Sequence, residues 1–357
     1  MANQLVMAAA TPARVAVIGT GLAGSLLSLA LARRGQAVTL FGPDPEGDTT
    51  AATPLSYGAL LGRQAAGQWR QLERLHGPLG WNACGGVLHG FDGPLDRLPP
   101  GLLALGAAVL PVSRVDPSLL VAALPTVLER AGVERRRAAL SCLDTLRPEF
   151  SQVVLAAGAS CRLLWPALPP RLRYSWAGVL TVPHNPGGSA WLELVRRGKV
   201  VLPRHWQRPG LEAKAAELEQ QAWVVDTGLA PWGKQGVVLG QISLIQPREA
   251  SRFPGPPPEA APLETELRRA LGRLDPALAT LEGSFQLRAV TFCTEGDALV
   301  GPVEGAEGLW IFTGFRTAFG GIPPQAERLA EAIQQSVQGG QSVQGRQFPP
   351  RMGGSRS

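Results

Sequence analysis

The chain has 357 residues, of which 45% are hydrophobic, so it is long enough for two domains or for one cofactor domain with a large insertion. Its formal net charge is +6, but half of that excess lies in a tail without acidic residues, at Arg346, Arg351 and Arg356. The remainder is nearly balanced, which argues against a polyanion, and we expect no nucleic acid partner.

The cysteine and histidine pattern excludes two further classes of protein. Four separated cysteines without a C-x-x-C pair favour free thiols in a reducing compartment over a disulfide framework. The four histidines have no metal-ligand spacing, so we expect no metal site. The most apolar segment, around 21–32, is too short to span a bilayer, and the N-terminus lacks the basic region of a signal peptide. We therefore expect a cytoplasmic protein without a transmembrane segment.

The first predicted elements form a strand, a turn, a helix and a second strand. Residues 15–18 are a β-branched run typical of a buried parallel strand, and 37–41 form a similar run. The helix between them ends in Arg33 and Arg34, with Gly35 suited to the position after its last turn. This order predicts one βαβ unit.

The turn of this unit contains Gly19, Gly21 and Gly24, which fit G-x-G-x-x-G. Such a turn brings backbone amides at a helix N-terminus close to a pyrophosphate, so the pattern predicts dinucleotide binding, whether NAD or FAD. An acidic residue that binds ribose is expected at the end of the second strand, but Gly42 occupies that position. Either Asp44 reaches back to the ribose, or backbone and water make this contact.

Helices and strands alternate in the following segment. We predict a loop over 42–58, a helix over 63–75, a helix beginning at Asp116-Pro117 that Pro125 kinks, and a strand in QVVLAAGAS at 152–160.

Between 171 and 250 the sequence pattern changes from alternating helices and strands to successive strands. The pieces AGVLTVP, AWLELV, KVVLP, AWVVDTGL and GVVLGQISLI all read as strands, and a single helical stretch at 211–221 separates them. Successive strands predict a second, largely antiparallel sheet. A helix at 263–274, a strand at 309–313 and a helix opening with Pro323 and Pro324 follow.

The combination of segments resembles one family. The βαβ unit, DPSLLVAAL, VVLAAGAS and RAVTFCTEGDALVGP with GLWIFTGF occur in the order found in the D-amino-acid oxidase family of FAD-dependent oxidoreductases, which includes glycine oxidase. The resemblance implies an α/β fold with a discontinuous Rossmann-like FAD-binding domain and a second, mostly antiparallel β-sheet substrate domain. The expected divisions are FAD-binding at 14–85, 115–170 and 288–335, substrate domain at 171–287 and possibly 86–114, and a disordered tail at 336–357.

The resemblance also implies the cofactor site. The FAD pyrophosphate would lie on the three glycines of the turn, and other small residues would bring backbone close to the flavin. The implied cofactor-binding residues are Gly19, Gly21, Gly24, Asp44, Ala157, Gly158, Gly314, Gly320 and Gly321. Because Cys293 does not match the position used for covalent attachment in sarcosine-oxidase-like members, we expect non-covalent FAD.

The expected substrate is a small amine or amino acid, oxidised by hydride transfer to the flavin. An arginine fork matches the geometry of a substrate carboxylate. Arg288 and Arg316 match family positions near the substrate, and Tyr57 lies in a region that approaches the flavin in relatives.

Three alternatives stay open at this point. One is an oxidoreductase of the same fold that modifies tRNA, which SYGALLG at 56–62 resembles. Another is a degenerate member that binds FAD weakly or not at all, which would explain Gly42 and the absence of proline at 298–300. The third, a nicotinamide dehydrogenase, is disfavoured by the C-terminal glycine segment.

Overall fold

Three β-sheets organise the part of the chain that the computed structural model describes. That part comprises residues 14–42, 56–90, 112–138, 140–146, 148–247 and 254–339. The predicted combination of a mostly parallel sheet with a second, mostly antiparallel sheet is confirmed.

The first sheet has six strands and is parallel except at one edge. In spatial order they are β14 (Leu299–Pro302), β15 (Leu309–Thr313), β8 (Gln152–Leu155), β1 (Arg14–Ile18), β2 (Ala37–Gly42) and β7 (Glu134–Arg137). Only β14 runs antiparallel to its neighbour. The chain passes from β1 to β2 on one side, while β8 returns on the other, so the strand order reverses at β1. In open α/β sheets, ligands bind at such a reversal, beyond the carboxyl ends of the strands.

Four helices complete this first unit. They are α1 (Leu22–Arg33), α2 (Arg63–His76), α3 (Pro117–Arg130) and the C-terminal α9 (Ala318–Gly339). The leucine-rich face of α1 is buried against the sheet and against α9, where Leu329 and Ile333 are fully buried. Gly35 follows α1 with φ of 77°, as predicted for a left-handed residue after a helix.

The second sheet is antiparallel along five of its six strands. In spatial order these are β13 (Ser284–Cys293), β9 (Leu172–Val182), β12 (Gly236–Ile245), β11 (Ala222–Trp232), β10 (Val200–Pro203) and β5 (Gly86–His89). The β10–β5 pair is parallel. One face of the sheet is covered by α5 (Ala190–Arg196), α7 (Ala260–Leu274) and α8 (Pro276–Ala279), whose leucines and Trp191 pack into its hydrophobic core.

The third sheet is small and was not predicted. It contains β3 (Ala59–Leu61), β6 (Val112–Val115) and β4 (Trp81–Ala83). Strands of three or four residues leave too short a pattern for sequence-based prediction. The remaining short helices are α4 (Cys161–Leu164) and α6 (Arg208–Ala213).

Several predicted elements need correction. AWLELV forms the helix α5, because the Ser189 hydroxyl accepts a hydrogen bond from Trp191 N and starts a helix there. The helix predicted at 211–221 is instead the shorter α6. Strand β13 runs across residues 287 and 288, and the domain division expected there stays a prediction.

The C-terminal helix also begins and ends elsewhere than predicted. It starts at Ala318, so Pro323 and Pro324 lie inside it rather than in its first turn. Pro323 has no N–H to donate to the carbonyl of Phe319, and the indole of Trp69 donates to this buried oxygen at 2.6 Å instead. The helix includes the first four residues of the predicted tail, and 340–357 lie outside the described residues.

Candidate cofactor and substrate site

The loops that follow β1 and β8 lie side by side at the carboxyl edge of the first sheet. Ala156 N donates to Ile18 O at 2.8 Å, and Gly19 N donates to Phe41 O at 2.7 Å, which ties the turn after β1 to the end of β2. The loop after β15 leaves the same edge, since β15 pairs in parallel with β8. The segments predicted to bind the cofactor are therefore brought together.

Two glycines of the turn are required by the packing of the protein itself. Gly19 has φ of 119°, and a side chain there would overlap the carbonyl of Ala156. A side chain at Gly24 would overlap the carbonyl of Gly19, so this glycine lets α1 lie close to the turn. These positions have the roles that G-x-G-x-x-G assigns to its first and third glycines.

The middle glycine of the turn has no such requirement. Gly21 caps α1 with φ of −69° and ψ of −178°, an extended conformation that any residue can adopt. Among the described residues, and apart from its chain neighbours, no atom lies within 4 Å of the position that its Cβ would take. The amides at the start of α1 thus face an open space, which fits a phosphate group.

The small residues after β8 and β15 are placed in a comparable way. Ala157 lies against the turn, with its Cα close to Gly19, and Gly158 has φ of 55° with open space beside it. Gly314 has φ of 83°, and a side chain there would meet the thiol of Cys293 at 2.7 Å.

Gly320 and Gly321 lie in the first turn of α9 rather than in a loop before it. Their Cβ positions would make only ordinary contacts, the nearest at 3.9 and 3.5 Å. Glycine in a helix costs about 1 kcal/mol relative to alanine. Because protein packing does not explain these two glycines, they fit a close approach of a ligand to the helix N-terminus.

The end of β2 explains the missing acidic residue. A side chain at Gly42 would lie 2.5 Å from Cγ2 and 2.8 Å from Oγ1 of Thr20. Contacts this short do not occur, so an acidic residue at position 42 would require the Thr20 side chain to move. Asp44, the predicted substitute, lies outside the described residues.

Arg288 is in the middle of β13. Phe285, Leu287 and Ala289 pack into the core under α7, so the alternation of the strand places Arg288 on the opposite face of the sheet. It is half-buried, and its Nη1 donates to the carbonyl of Leu287 at 2.9 Å.

Tyr57 lies on the same face of the second sheet as Arg288. Its ring packs with Val179, whose partner on β13 is Gln286, two residues before Arg288. Its buried hydroxyl donates to the carbonyl of Asp226 at 3.1 Å. Burial raises the pKa of Tyr57 well above its usual value, so the phenol stays protonated.

Arg316 connects the loop after β15 to the end of β13. Its Nε donates to Cys293 O at 2.7 Å, and its Nη2 donates to Thr294 O. Both contacts are to main-chain carbonyls, which favours a positioning role. That Arg316 also contacts substrate stays a prediction.

Beside Arg316 lies a group of charged residues that sequence reasoning missed. Arg208 donates from Nη2 to Arg316 O at 3.4 Å and pairs with the fully buried Glu212 at 3.3 Å. The carboxylate of Asp226 accepts hydrogen bonds from Gln207 N and Arg208 N. Burial raises the pKa of Glu212. The four-residue spacing of Arg208 and Glu212 predicts a helical pair, but their burial arises only from tertiary packing.

We expect Arg316→Ala to lower the free energy of unfolding by about 1.5–3 kcal/mol, because two charged hydrogen bonds to half-buried carbonyls are lost. Urea denaturation would measure this, with Arg269→Ala, which removes an exposed arginine of α7, as control. An unchanged stability together with a raised KM would instead show that Arg316 acts on substrate.

Two features are absent from the residues that the structure describes. Among the described residues, no group of three or more histidine, cysteine or acidic side chains could hold a metal ion. In the same ranges, none of the helices is both long and apolar enough to cross a membrane.

The sheet order, the glycine turn at the strand reversal and the second antiparallel sheet form a fold that is also found in solved oxidase structures. The structure is similar to glycine oxidase from Geobacillus kaustophilus, with a TM-score of 0.64 and 16% identity over 90% of this chain and 95% of that one. It is also similar to iminodiacetate oxidase from Chelativorans, with a TM-score of 0.60 and 16% identity over 95% and 97% of the chains. The predicted resemblance is confirmed.

A comparison of sequences finds a different relative. The chain is 28% identical to the tRNA 5-methylaminomethyl-2-thiouridine biosynthesis bifunctional protein MnmC of Verminephrobacter eiseniae, over 85% of this chain. The match spans 58% of that relative, so this chain corresponds to only part of its length. No protein-family model matches the chain.

Proposed function

We propose that this protein binds FAD and oxidises a small amine or amino acid. The observation that supports this most directly is the set of glycines without a packing requirement, Gly21, Gly320 and Gly321, at two helix N-termini within the fold of this family. An anionic cofactor would be stabilised by both helix ends. When bound, FAD supplies the hydride-accepting chemistry.

The protein's own task in such a reaction is to fix the substrate and exclude water. Arg288 is proposed to bind the substrate carboxylate, on the sheet face that it shares with Tyr57. The Tyr57 hydroxyl donates a hydrogen bond to a carbonyl and stays protonated, which favours a role in shaping this face over proton transfer. Arg316 is proposed to hold the loop after β15.

FAD is proposed to be bound non-covalently. Cys293, Cys161 and Cys84 are buried, and burial raises the pKa of each thiol, that of Cys161 to about 12. Such thiols are poor nucleophiles. Acid precipitation should therefore release all flavin into the supernatant.

The test of the proposal is the visible spectrum of the purified protein, followed by anaerobic addition of glycine, sarcosine and D-amino acids. A flavin spectrum that bleaches with one of them supports the oxidoreductase and defines its substrate class. A colourless protein that FAD does not reconstitute would favour the degenerate binding module.

The second candidate function is oxidation of a modified uridine in tRNA, and it rests on the similarity to the MnmC protein. The methylaminomethyl group in that relative's name is an alkylamine, so both candidates share an amine substrate. The same anaerobic assay with unfractionated tRNA distinguishes them. Bleaching by tRNA at micromolar concentration, without bleaching by free amino acids, would favour the tRNA substrate.

We expect Arg288→Ala to leave FAD bound but to lower kcat/KM for a carboxylate substrate, mainly by raising KM. The expected loss of transition-state stabilisation is about 2–4 kcal/mol. An amine without a carboxylate should be unaffected, and Arg269→Ala serves as the control. Unchanged kinetics would show that Arg288 does not bind the substrate carboxylate.

A further inference from the structure

The Thr20 side chain lies where the side chain of an acidic residue at position 42 would begin. In G-x-G-x-x-G proteins, the acidic residue at the end of the second strand accepts hydrogen bonds from the ribose. Here the Thr20 side chain occupies the volume that such a side chain would enter, with both Cγ2 and Oγ1 within 2.8 Å of the Cβ position of residue 42.

Thr20 is also held in place by its neighbours. The Ser25 hydroxyl donates to Thr20 O at 3.1 Å, and the adjacent Gly19 N donates to Phe41 O, so the turn is fixed to both α1 and β2. Thr20 itself is half-buried at the carboxyl edge of the sheet, next to the open space at Gly21.

We propose that the Thr20 hydroxyl, in place of a carboxylate at position 42, binds a ribose hydroxyl of the adenosine half of the cofactor. A hydroxyl both donates and accepts hydrogen bonds, so it can replace the carboxylate as acceptor. The contact is neutral and therefore weaker than the charge-assisted bond it replaces. This inference rests on the proposed binding of FAD.

The test is the affinity of the apo-protein for FAD, ADP, 2′-deoxy-ADP and 3′-deoxy-ADP, measured by titration calorimetry. Thr20→Val keeps the shape of the side chain and removes its hydroxyl. It should lower the affinity for FAD and for ADP about three- to ten-fold. For the deoxy-ADP that lacks the contacted hydroxyl, the wild type and Thr20→Val should have the same affinity. The matched control is Thr39→Val, which removes a hydroxyl of β2 that is bonded to Glu134.

A second pair of variants tests the steric exclusion. Gly42→Glu alone should weaken ADP binding, because its side chain meets Thr20. The double variant with Thr20→Gly and Gly42→Glu removes that overlap and should bind ADP at least as tightly as the wild type. A double variant that binds ADP as weakly as Gly42→Glu would contradict the overlap between the two side chains.

The outcomes separate this inference from the proposed function. A wild type that binds neither FAD nor ADP would overturn both. A wild type that binds them, with Thr20→Val unchanged and Asp44→Asn weakened, would overturn only the role of Thr20 and assign the ribose to Asp44.

Discussion

Gly21→Val is expected to abolish retention of FAD while the apo-protein keeps its fold. Gly21 has extended backbone angles that valine adopts freely, and no atom from elsewhere in the described ranges lies within 4 Å of its Cβ position. The added side chain therefore overlaps none of the residues that the structure describes, and it enters the space where the pyrophosphate would lie. We expect FAD affinity to fall by about 100-fold or more, since overpacking of a close contact costs up to about 3 kcal/mol.

The measurement is the 450 nm absorbance that stays with the protein through gel filtration, together with the melting temperature of the apo-protein. The matched control is Gly210→Val, an exposed glycine of α6 whose Cβ position is equally open. Gly24→Val should instead destabilise the apo-protein, because its side chain overlaps Gly19 O. A yellow Gly21→Val protein with stoichiometric FAD would contradict the proposed placement of the cofactor.

Local patterns predicted the first βαβ unit well. The β-branched run at 15–18, the glycine turn and Gly35 each depend on neighbours within a few residues, and the structure has them as expected. The same holds for Asp116 at the start of α3, whose carboxylate accepts from Ser118 N and Leu119 N. In these places local sequence and tertiary packing favour the same conformation.

The errors arise where a distant group decides the local structure. The start of α9 was misplaced because its two glycines and two prolines favour a loop in sequence, whereas Trp69 satisfies the carbonyl that Pro323 leaves without a donor. Similarly, the sequence shows that Gly42 lacks the expected carboxylate, but it does not show that the Thr20 side chain lies within 3 Å of the Cβ position there. Neither contact has a signal within the segment concerned.

In the candidate site, too, features set by local sequence were predicted and features set by distant contacts were not. The packing of Gly19 and Gly24 in the turn was predictable, because the motif specifies a backbone geometry; that these glycines bind a cofactor stays a prediction. The roles of Arg288, Arg316 and Tyr57 stay predictions, and Arg208 and Glu212 were missed. With arginine spread through the whole sequence, residue type alone cannot distinguish a buried arginine from a solvated one.

The largest effect on stability is expected from Asp116→Ala. Asp116 Oδ2 accepts from Arg114 Nη1 at 3.1 Å and from Gly233 N at 2.9 Å, and both charged side chains are 2% exposed or less. Arg114 also donates to the carbonyls of Tyr57 and Pro231. The pair thus joins the third sheet to the second sheet and to the segment of Tyr57.

Removing the carboxylate leaves Arg114 buried without its charge partner, which costs about 3–5 kcal/mol. Asp275→Ala removes another aspartate that caps a helix and that also accepts a hydrogen bond from the Ser189 hydroxyl, without a buried ion pair in its contacts, and should cost about 1–2 kcal/mol. Urea unfolding of the apo-protein measures both. Because replacing both partners of a buried pair is tolerated better than removing one, Arg114→Met combined with Asp116→Ala should recover part of the loss. Equal losses for Asp116→Ala and Asp275→Ala would mean that Asp116 acts only as a helix cap and that the ion pair adds nothing.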